Sequence, residues 1–235
     1  MLRYVFAVHR RAWARQLGLP LTLTPELATA MALEVDPTPP LTGHPVLRDR
    51  VAVTFDDGPH PEGTPAVLEV LAEHGVKATF FVVGEQVVKR PELLRRIAAD
   101  GHRIALHGYE HALHLRRSRE AMDEDFTRGI AAIEDAVDLT PVLHRPPYGI
   151  YSPWSLQNAR ARGLNPMLWS AWGRDWRRFT TPNRIARRAL VGIQSGDVIL
   201  LHDADFYSAQ RSHERTVGAL PLILAGLKSG GLDTV

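Results

Sequence analysis

Short apolar runs alternate with longer mixed segments along the chain from about residue 50 onward. Six of these runs are rich in branched and aromatic residues and have the length of buried strands: 51–55, 78–83, 103–106, 142–144, 166–169 and 198–201. The segments between them are long enough for helices. This order predicts parallel strands connected by helices, in a barrel or a doubly wound sheet.

The segments between the runs carry residues that start and stop helices. The predicted helices begin at Thr64 as N-cap and stop at Gly75, begin at Pro91 and stop at Gly101, begin at Thr181 with Pro182 and stop near Gly196, and cover 120–137 and 213–227. No internal repeat or low-complexity tract interrupts the pattern.

The first 49 residues follow a different pattern. The apolar run at 4–8 is broken at once by Arg10 and Arg11, so it is too short for a membrane span and a poor signal peptide. The 17–33 segment is fairly apolar, and the proline-rich 36–45 segment is typical of a linker. We expect an N-terminal extension and linker at 1–49, packed on or near one domain at 50–235. The location is left open by the sequence: we expect a cytoplasmic one in the absence of a convincing signal peptide, and an extracytoplasmic one if the N-terminus is a degenerate or misannotated export signal.

Composition narrows the chemistry more than the fold. The chain has 235 residues, no cysteine and a formal net charge of +2. Without thiolates, any metal must be bound by His, Asp or Glu, and the small net charge argues against a nucleic-acid partner. Arg-Arg pairs at 10–11, 95–96, 116–117, 177–178 and 187–188 are scattered, which favours solvated helix faces over one basic groove.

Two adjacent carboxylates follow the first predicted strand. Asp56 and Asp57 lie where it runs into a Gly-Pro turn, and the carboxyl ends of barrel strands are where active sites form. Such a pair needs a metal ion or a shared proton. Magnesium with a phosphate substrate would suit it, and Asp57 could instead simply cap the turn.

Two histidines follow the third predicted strand. His107 and His111 are four residues apart, so on a helical turn both rings would face one point. Two imidazoles and a carboxylate suit a zinc site with an open position, and imidazole favours zinc, cobalt, nickel or iron over magnesium. The same set also suits a non-haem iron oxygenase.

Three later segments add candidates for the same end of the fold. Arg145 follows a strand and could pair with a carboxylate, and the turn after it could aim backbone N–H groups at an oxyanion. Three tryptophans between 169 and 176 are typical of core packing or of a sugar-binding wall. His202 ends a buried strand, in a structural or a catalytic role.

From about residue 50 the chain resembles the polysaccharide deacetylase family, the NodB-homology domain of carbohydrate esterase family four. Five motifs occur in the family's order: TFDDGP at 54–59, HGYEH at 107–111, RPPYG at 145–149, DW at 175–176 and LH at 201–202. The resemblance implies an α/β fold, a distorted (β/α) barrel of about seven parallel strands. We expect this barrel to form a single domain, preceded by a short N-terminal extension.

The resemblance also implies a metal site and a catalytic base. Asp57, His107 and His111 would bind one divalent ion, with zinc expected first and cobalt or nickel as alternatives. Asp56 would be the base, paired with Arg145. The chemistry of amide hydrolysis agrees, because it needs an activated water and a group that accepts its proton.

The remaining roles implied by the resemblance concern the substrate and the leaving group. The backbone N–H of Tyr148 would help hold the oxyanion, with Tyr148 in contact with the substrate. Asp175 would orient His202 as general acid, and Trp176 and Leu201 would shape a pocket for the acetyl methyl.

The expected function is metal-dependent removal of N-acetyl groups from an amino-sugar polymer or oligosaccharide of the peptidoglycan or chitin type. An alternative is hydrolysis of another non-peptide C–N bond, in a non-sugar amide, a cyclic ureide or a formyl group. A positively charged or hydrophobic cleft rim would favour that alternative. A catalytically silent carbohydrate-binding protein is the third hypothesis.

Two positions depart from the family's pattern. Gly108 stands where relatives usually have Ser or Thr, so a hydroxyl that would support His107 is missing. Trp172 stands where many relatives have an acid, which predicts a narrower or more apolar wall for the substrate cleft.

Overall fold

The computed structural model describes residues 17–33 and 49–235. Its strands are β1 (Arg50–Asp56), β2 (Thr79–Val82), β3 (Arg103–Leu106), β4 (Leu143–His144), β5 (Asn165–Pro166), β6 (Ala171–Trp172), β7 (Val198–His202) and β8 (Asp233–Thr234). Seven of them form one parallel sheet in the order β5-β4-β3-β2-β1-β7-β6, and β8 pairs with the first residues of β1. The predicted barrel of seven parallel strands is confirmed, as a curled half-barrel.

Helices connect the strands. They are α1 (Pro25–Ala30), α2 (Gly63–Glu73), α3 (Gly84–Lys89), α4 (Pro91–Ala99), α5 (Arg119–Val137), α6 (Pro153–Ala161), α7 (Pro182–Leu190) and α8 (Ser212–Ser229), with 3-10 turns at His114–Arg116 and Pro147–Gly149. None of the helices in the described residues is both long and apolar enough to cross a bilayer.

Most predicted elements are confirmed, and the differences have local causes. Thr64 is not the N-cap of α2, because the helix begins at Gly63 and the Thr64 hydroxyl instead accepts from the His60 N–H at 2.7 Å. The predicted strand at 166–169 is wrong, since pairing there is confined to Asn165–Pro166. The predicted stop of α7 near Gly196 is also wrong, because the helix ends at Leu190.

Apolar side chains from all parts of the sheet form one core. Every residue of β1 after Arg50 is buried, as expected for a central strand covered on both faces. Part of the predicted extension joins this core through Leu19, Leu27 and Met31. The division at residue 49 stays a prediction, and the predicted linker at 36–45 lies outside the described residues.

The strand register brings the polar residues to one edge of the sheet. Asp56 is opposite His202 in the β1–β7 pair, and Leu106, just before His107, is opposite His144 in the β3–β4 pair. The predicted site residues of four strands therefore meet at the carboxyl edge, where barrel active sites lie.

Candidate active site

Asp57, His107 and His111 converge at this edge. The Nε2 atoms of His107 and His111 lie 3.4 and 3.3 Å from Asp57 Oδ1, and the three candidate ligand atoms lie within 4.8 Å of one another. Asp57 Oδ1 is buried and has no hydrogen-bond partner among the described residues. Burial alone would raise the pKa of Asp57, but the neighbouring imidazoles, His111 first and then His107, hold it well below its usual range.

The tautomer of His107 fits a metal ligand. Its Nδ1 lies 2.7 Å from the backbone oxygen of Arg145, which has no proton to donate, so Nδ1 carries the hydrogen. Nε2 then presents its lone pair toward Asp57 and toward Asp56, whose Oδ2 is 3.7 Å away. A lone pair facing two carboxylates is favourable only with a cation between them, so these donors fit a divalent metal ion.

The two histidines do not share a helical turn, so that part of the prediction is wrong. Residues 107–111 form an irregular loop in which Gly108 has a φ of 90°. The loop is held from α5 by Asp125, which accepts hydrogen bonds from the N–H groups of Tyr109 and Glu110 at 3.0 Å each. A Cβ at Gly108 would lie 3.1 Å from this carboxylate. Asp125 therefore supports this loop, which lacks the hydroxyl expected at position 108, and burial raises the pKa of Asp125.

Asp56 is held by a buried arginine. Arg145 is fully buried, and its Nη1 donates to Asp56 Oδ1 at 2.6 Å and to Thr54 Oγ1 at 2.9 Å. Its other nitrogens donate to the backbone oxygens of Met167 and Leu168. The pairing of Asp56 with Arg145 expected from the sequence is present in the structure.

His202 is paired with Asp175. The Asp175 carboxylate accepts from the His202 backbone N–H at 2.7 Å and lies 3.0 Å from its Nδ1, and the Thr216 hydroxyl donates to the same carboxylate at 2.8 Å. Burial disfavours the charged ring, but the carboxylates around it, Asp175 first, raise the pKa of His202 to about 10. His202 is therefore an imidazolium at neutral pH.

The carboxylates and His202 open into one cavity of about 570 Å³. Its walls include Tyr148, Trp169, Trp172 and Trp176, so the tryptophan cluster lines the cleft, as the departure at Trp172 led us to expect. Tyr148 has a φ of 63°, an uncommon conformation for a residue with a side chain.

Leu201, predicted to shape the acetyl pocket, does not line the cavity. Side chains alternate along β7, so the residue on the face of His202 is Leu200, which lines the cavity. Leu201 is fully buried on the opposite face, where its Cδ2 lies beside Gly173.

Sequence reasoning missed Tyr207 as well as Asp125. The Tyr207 ring stacks on His111, with centroids 4.1 Å apart and planes 7° from parallel. Its hydroxyl donates to Glu85 at 2.7 Å and accepts from Gln86 at 3.1 Å. Neither Tyr207 nor Asp125 lies in a motif. The sequence pattern of an amphipathic helix does not distinguish a buried aspartate from an exposed one.

A second His/Asp group does not fit a metal ion. His60, Asp205 and His213 lie close together, but His60 Nδ1 accepts from the N–H groups of Glu62 and Gly63 at 3.2 and 2.9 Å. The hydrogen of neutral His60 is therefore on Nε2, which faces Asp205 at 3.2 Å. That nitrogen has no lone pair for a metal.

Comparisons with known proteins agree with this site. The sequence profile of the family described as "Polysaccharide deacetylase" matches residues 44–167. A chitooligosaccharide deacetylase of Bradyrhizobium sp. (strain ANU 289) is 38% identical over 190 residues, covering 78% of this chain and 86% of that protein.

Solved structures show the same fold. The Bc1960 peptidoglycan N-acetylglucosamine deacetylase superposes with a TM-score of 0.75 at 31% identity, covering 80% of this chain and 86% of the other. A family 4 acetyl xylan esterase from Clostridium thermocellum, solved with a cobalt ion, gives a TM-score of 0.72 at 32% identity over 79% of this chain and 87% of the other.

Proposed function

The chain belongs to the polysaccharide deacetylase family, and we propose that it removes N-acetyl groups from amino sugars in an oligosaccharide or polymer, with a divalent metal ion. Its enzyme class is that of its named relatives, hydrolases of C–N bonds other than peptide bonds. One observation carries the proposal: a candidate metal site, a candidate base and a candidate acid lie together at the sheet edge. They are the Asp57–His107–His111 group, the Asp56–Arg145 pair and protonated His202. Four of these residues line one cavity: Asp56, Asp57, His111 and His202.

Asp57, His107 and His111 would hold the metal ion. When bound, such an ion supplies Lewis acidity for a water molecule and for the acetyl carbonyl. The donor set suits zinc, cobalt or nickel better than magnesium, because two of its three ligands are imidazoles. We expect zinc, and the cobalt ion in the acetyl xylan esterase supports a first-row metal.

Asp56 accepts the proton of the attacking water. Arg145 pairs with the carboxylate and fixes its direction, because the guanidinium is itself held by Thr54 and two backbone oxygens. A base near the reacting atoms contributes roughly 10²–10⁴-fold to the rate. The pairing also allows two adjacent aspartates to have different roles.

His202 delivers a proton to the leaving nitrogen. The amine is expelled only once it is protonated, and Asp175 holds His202 in the protonated form and in one orientation. Water is consumed, the C–N bond breaks, and acetate and a free amino sugar leave. The Tyr148 backbone N–H is proposed to stabilise the negative charge on the acetyl oxygen during attack.

The residues of the cavity wall indicate which kind of substrate the site accepts. Trp172 and Trp176 offer aromatic faces for a sugar ring, and Leu200 takes the place assigned to Leu201 beside the acetyl methyl. The cavity rim is both apolar and, at Arg116, positively charged, which we expected for a non-sugar substrate. The sugar is favoured because the Bradyrhizobium relative and the Bc1960 enzyme are named as deacetylases of N-acetylated sugars.

Acetate release tests the proposal. Chitooligosaccharides and peptidoglycan are supplied to protein as purified, after chelation, and after reloading with zinc or cobalt, with bound metal counted in each case. We expect release that is lost on chelation and restored by metal. Asp56→Asn should lower it by roughly 10²–10⁴-fold with metal still bound, and Asp135→Asn, an exposed aspartate of α5, should leave it unchanged.

The outcomes separate the alternatives. A protein that binds one metal ion but releases acetate from neither substrate would favour hydrolysis of another C–N bond. A protein that binds no metal would overturn the site itself, and full activity in Asp56→Asn would overturn the assigned base. The location of the protein stays a prediction.

A further inference from the structure

Six arginines gather beside the cleft in a segment of fifteen residues, 174–188. They are Arg174, Arg177, Arg178, Arg184, Arg187 and Arg188, and we call this surface the arginine rim. Burial and the like charges of its other members, Arg177 and Arg174 first, lower the pKa of Arg188. Arg188 Nη1 also donates to Thr180 Oγ1 at 3.1 Å, so α7 packs against the loop that carries Arg177 and Arg178. The pairs 177–178 and 187–188 therefore lie close together, whereas the sequence favoured separate solvated helix faces.

No acidic side chain in the described part of the chain pairs with the arginine rim. None of its members forms an ion pair among the described residues, whereas Arg162 and Arg211 elsewhere pair with acids at 2.6 Å. The acid within the segment, Asp175, is buried and bound to His202 and Thr216. In a chain of net charge +2, six arginines against one buried aspartate within fifteen residues create a strong positive field at this one place.

The arginine rim is continuous with the cleft wall. The guanidinium carbon of Arg174 lies 4.7 Å from the ring centre of Trp172, which lines the cavity. Arg178 lies 5.4 Å from the ring centre of Phe179, a side chain that is 84% exposed. The cavity is also lined by Arg116, which has no ion-pair partner among the described residues.

We propose that the substrate is an anionic glycan, whose N-acetyl sugar occupies the cavity while the continuing chain, with carboxylate or phosphate groups, lies on the arginine rim. The proposal rests on the proposed function and names its substrate class. A glycan is favoured over a nucleic acid or a membrane because the charges begin at the aromatic wall that would hold the reacting sugar. Arginine suits carboxylate and phosphate because its planar fork donates two parallel hydrogen bonds.

The test compares two ligands that share the acetylated sugar and differ in charge. Hyaluronan oligosaccharides alternate N-acetylglucosamine with a carboxylate sugar, and chitin oligosaccharides of equal length are neutral. Affinity is measured with Asp56→Asn protein, so that neither ligand is consumed. We expect about tenfold tighter binding of hyaluronan at low salt, with the difference lost near 1 M salt, where charges are screened within about 3 Å.

Two variants with the same change in charge locate the effect. Arg177, Arg184 and Arg187 are exposed, so replacing all three by Gln should remove the preference for hyaluronan without changing chitin binding. In the control variant, three exposed arginines of α4 and α6 are replaced by Gln: Arg95, Arg96 and Arg160. This variant should keep the preference for hyaluronan.

Several results would overturn the proposal. Equal affinity for the two ligands, or a preference that survives loss of the three rim arginines, would do so. Rim-dependent binding of duplex DNA or phosphatidylglycerol vesicles without binding of hyaluronan would assign the surface to another partner. A charge preference without acetate release from any ligand would overturn the deacetylase function and leave the affinity for anionic glycan supported.

Discussion

Asp56 and Arg145 meet at 2.6 Å, and the arginine has no access to solvent. A buried guanidinium is stable only if its donors are satisfied, and here a carboxylate, a hydroxyl and two backbone oxygens accept from it. The pair therefore has two effects: it stabilises the sheet edge, and it orients the carboxylate of the proposed base.

Arg145→Met should damage both stability and turnover. It leaves the buried Asp56 charge unpaired, which costs about 3–5 kcal/mol of unfolding free energy, and it frees the carboxylate to turn. Urea unfolding and kcat with a chitooligosaccharide measure the two effects. Arg145→Lys should also fail, because one ammonium cannot reach all four acceptors, whereas Arg160→Lys on α6 should be neutral. Normal activity in Arg145→Lys would show that charge alone suffices.

The His202–Asp175 pair predicts a pH dependence of stability. The pKa of His202 is raised from the usual 6.5 to about 10, so its charged form stabilises the folded state. This contribution is fully present below about pH 6.5 and is lost as pH rises through about 10. In protein whose metal has been removed by chelation, His202→Gln should therefore lower the free energy of unfolding more at pH 6 than near pH 10. A penalty independent of pH would contradict the pairing.

Asp175→Asn should move the alkaline limit of activity. Loss of the carboxylate lowers the pKa of His202, so the general acid loses its proton at a lower pH and kcat falls earlier as pH rises. The pH profile of kcat measures the shift. Asp197→Asn, which removes a carboxylate that accepts from the Gln194 N–H in a surface turn, should leave the profile in place.

Asp125→Asn should weaken metal binding without touching a ligand. The carboxylate holds the N–H groups of Tyr109 and Glu110, so its loss loosens the loop that carries His111. Supporting residues of this kind typically change metal affinity by about 10–100-fold. Titration of chelated protein with zinc measures it, and Glu124→Gln, exposed on the same helix, is the control. Equal affinity in both variants would show that the loop holds itself.

The sequence could predict the parallel strands and most of the polar residues at their carboxyl ends, because these depend on strong local signals. Buried strands such as β1 are continuous apolar runs, and Asp56, His107 and His202 directly follow such runs in the sequence or end them. The two-residue strands β5 and β6 carry too little pattern to be placed. Asp125 and Tyr207 act through contacts between distant segments, which no spacing reveals.

Leu200→Ala should mainly lower catalytic efficiency and Leu201→Ala should mainly lower stability, because adjacent residues of β7 face opposite sides of the sheet. Leu200 lines the cavity, so its truncation removes a contact with the acetyl methyl and should lower kcat/KM by about tenfold. Leu201 is fully buried away from the cavity, so its truncation should cost about 2–5 kcal/mol of unfolding free energy and leave kcat/KM of the folded protein nearly unchanged. The reverse outcome would restore Leu201 to the acetyl pocket.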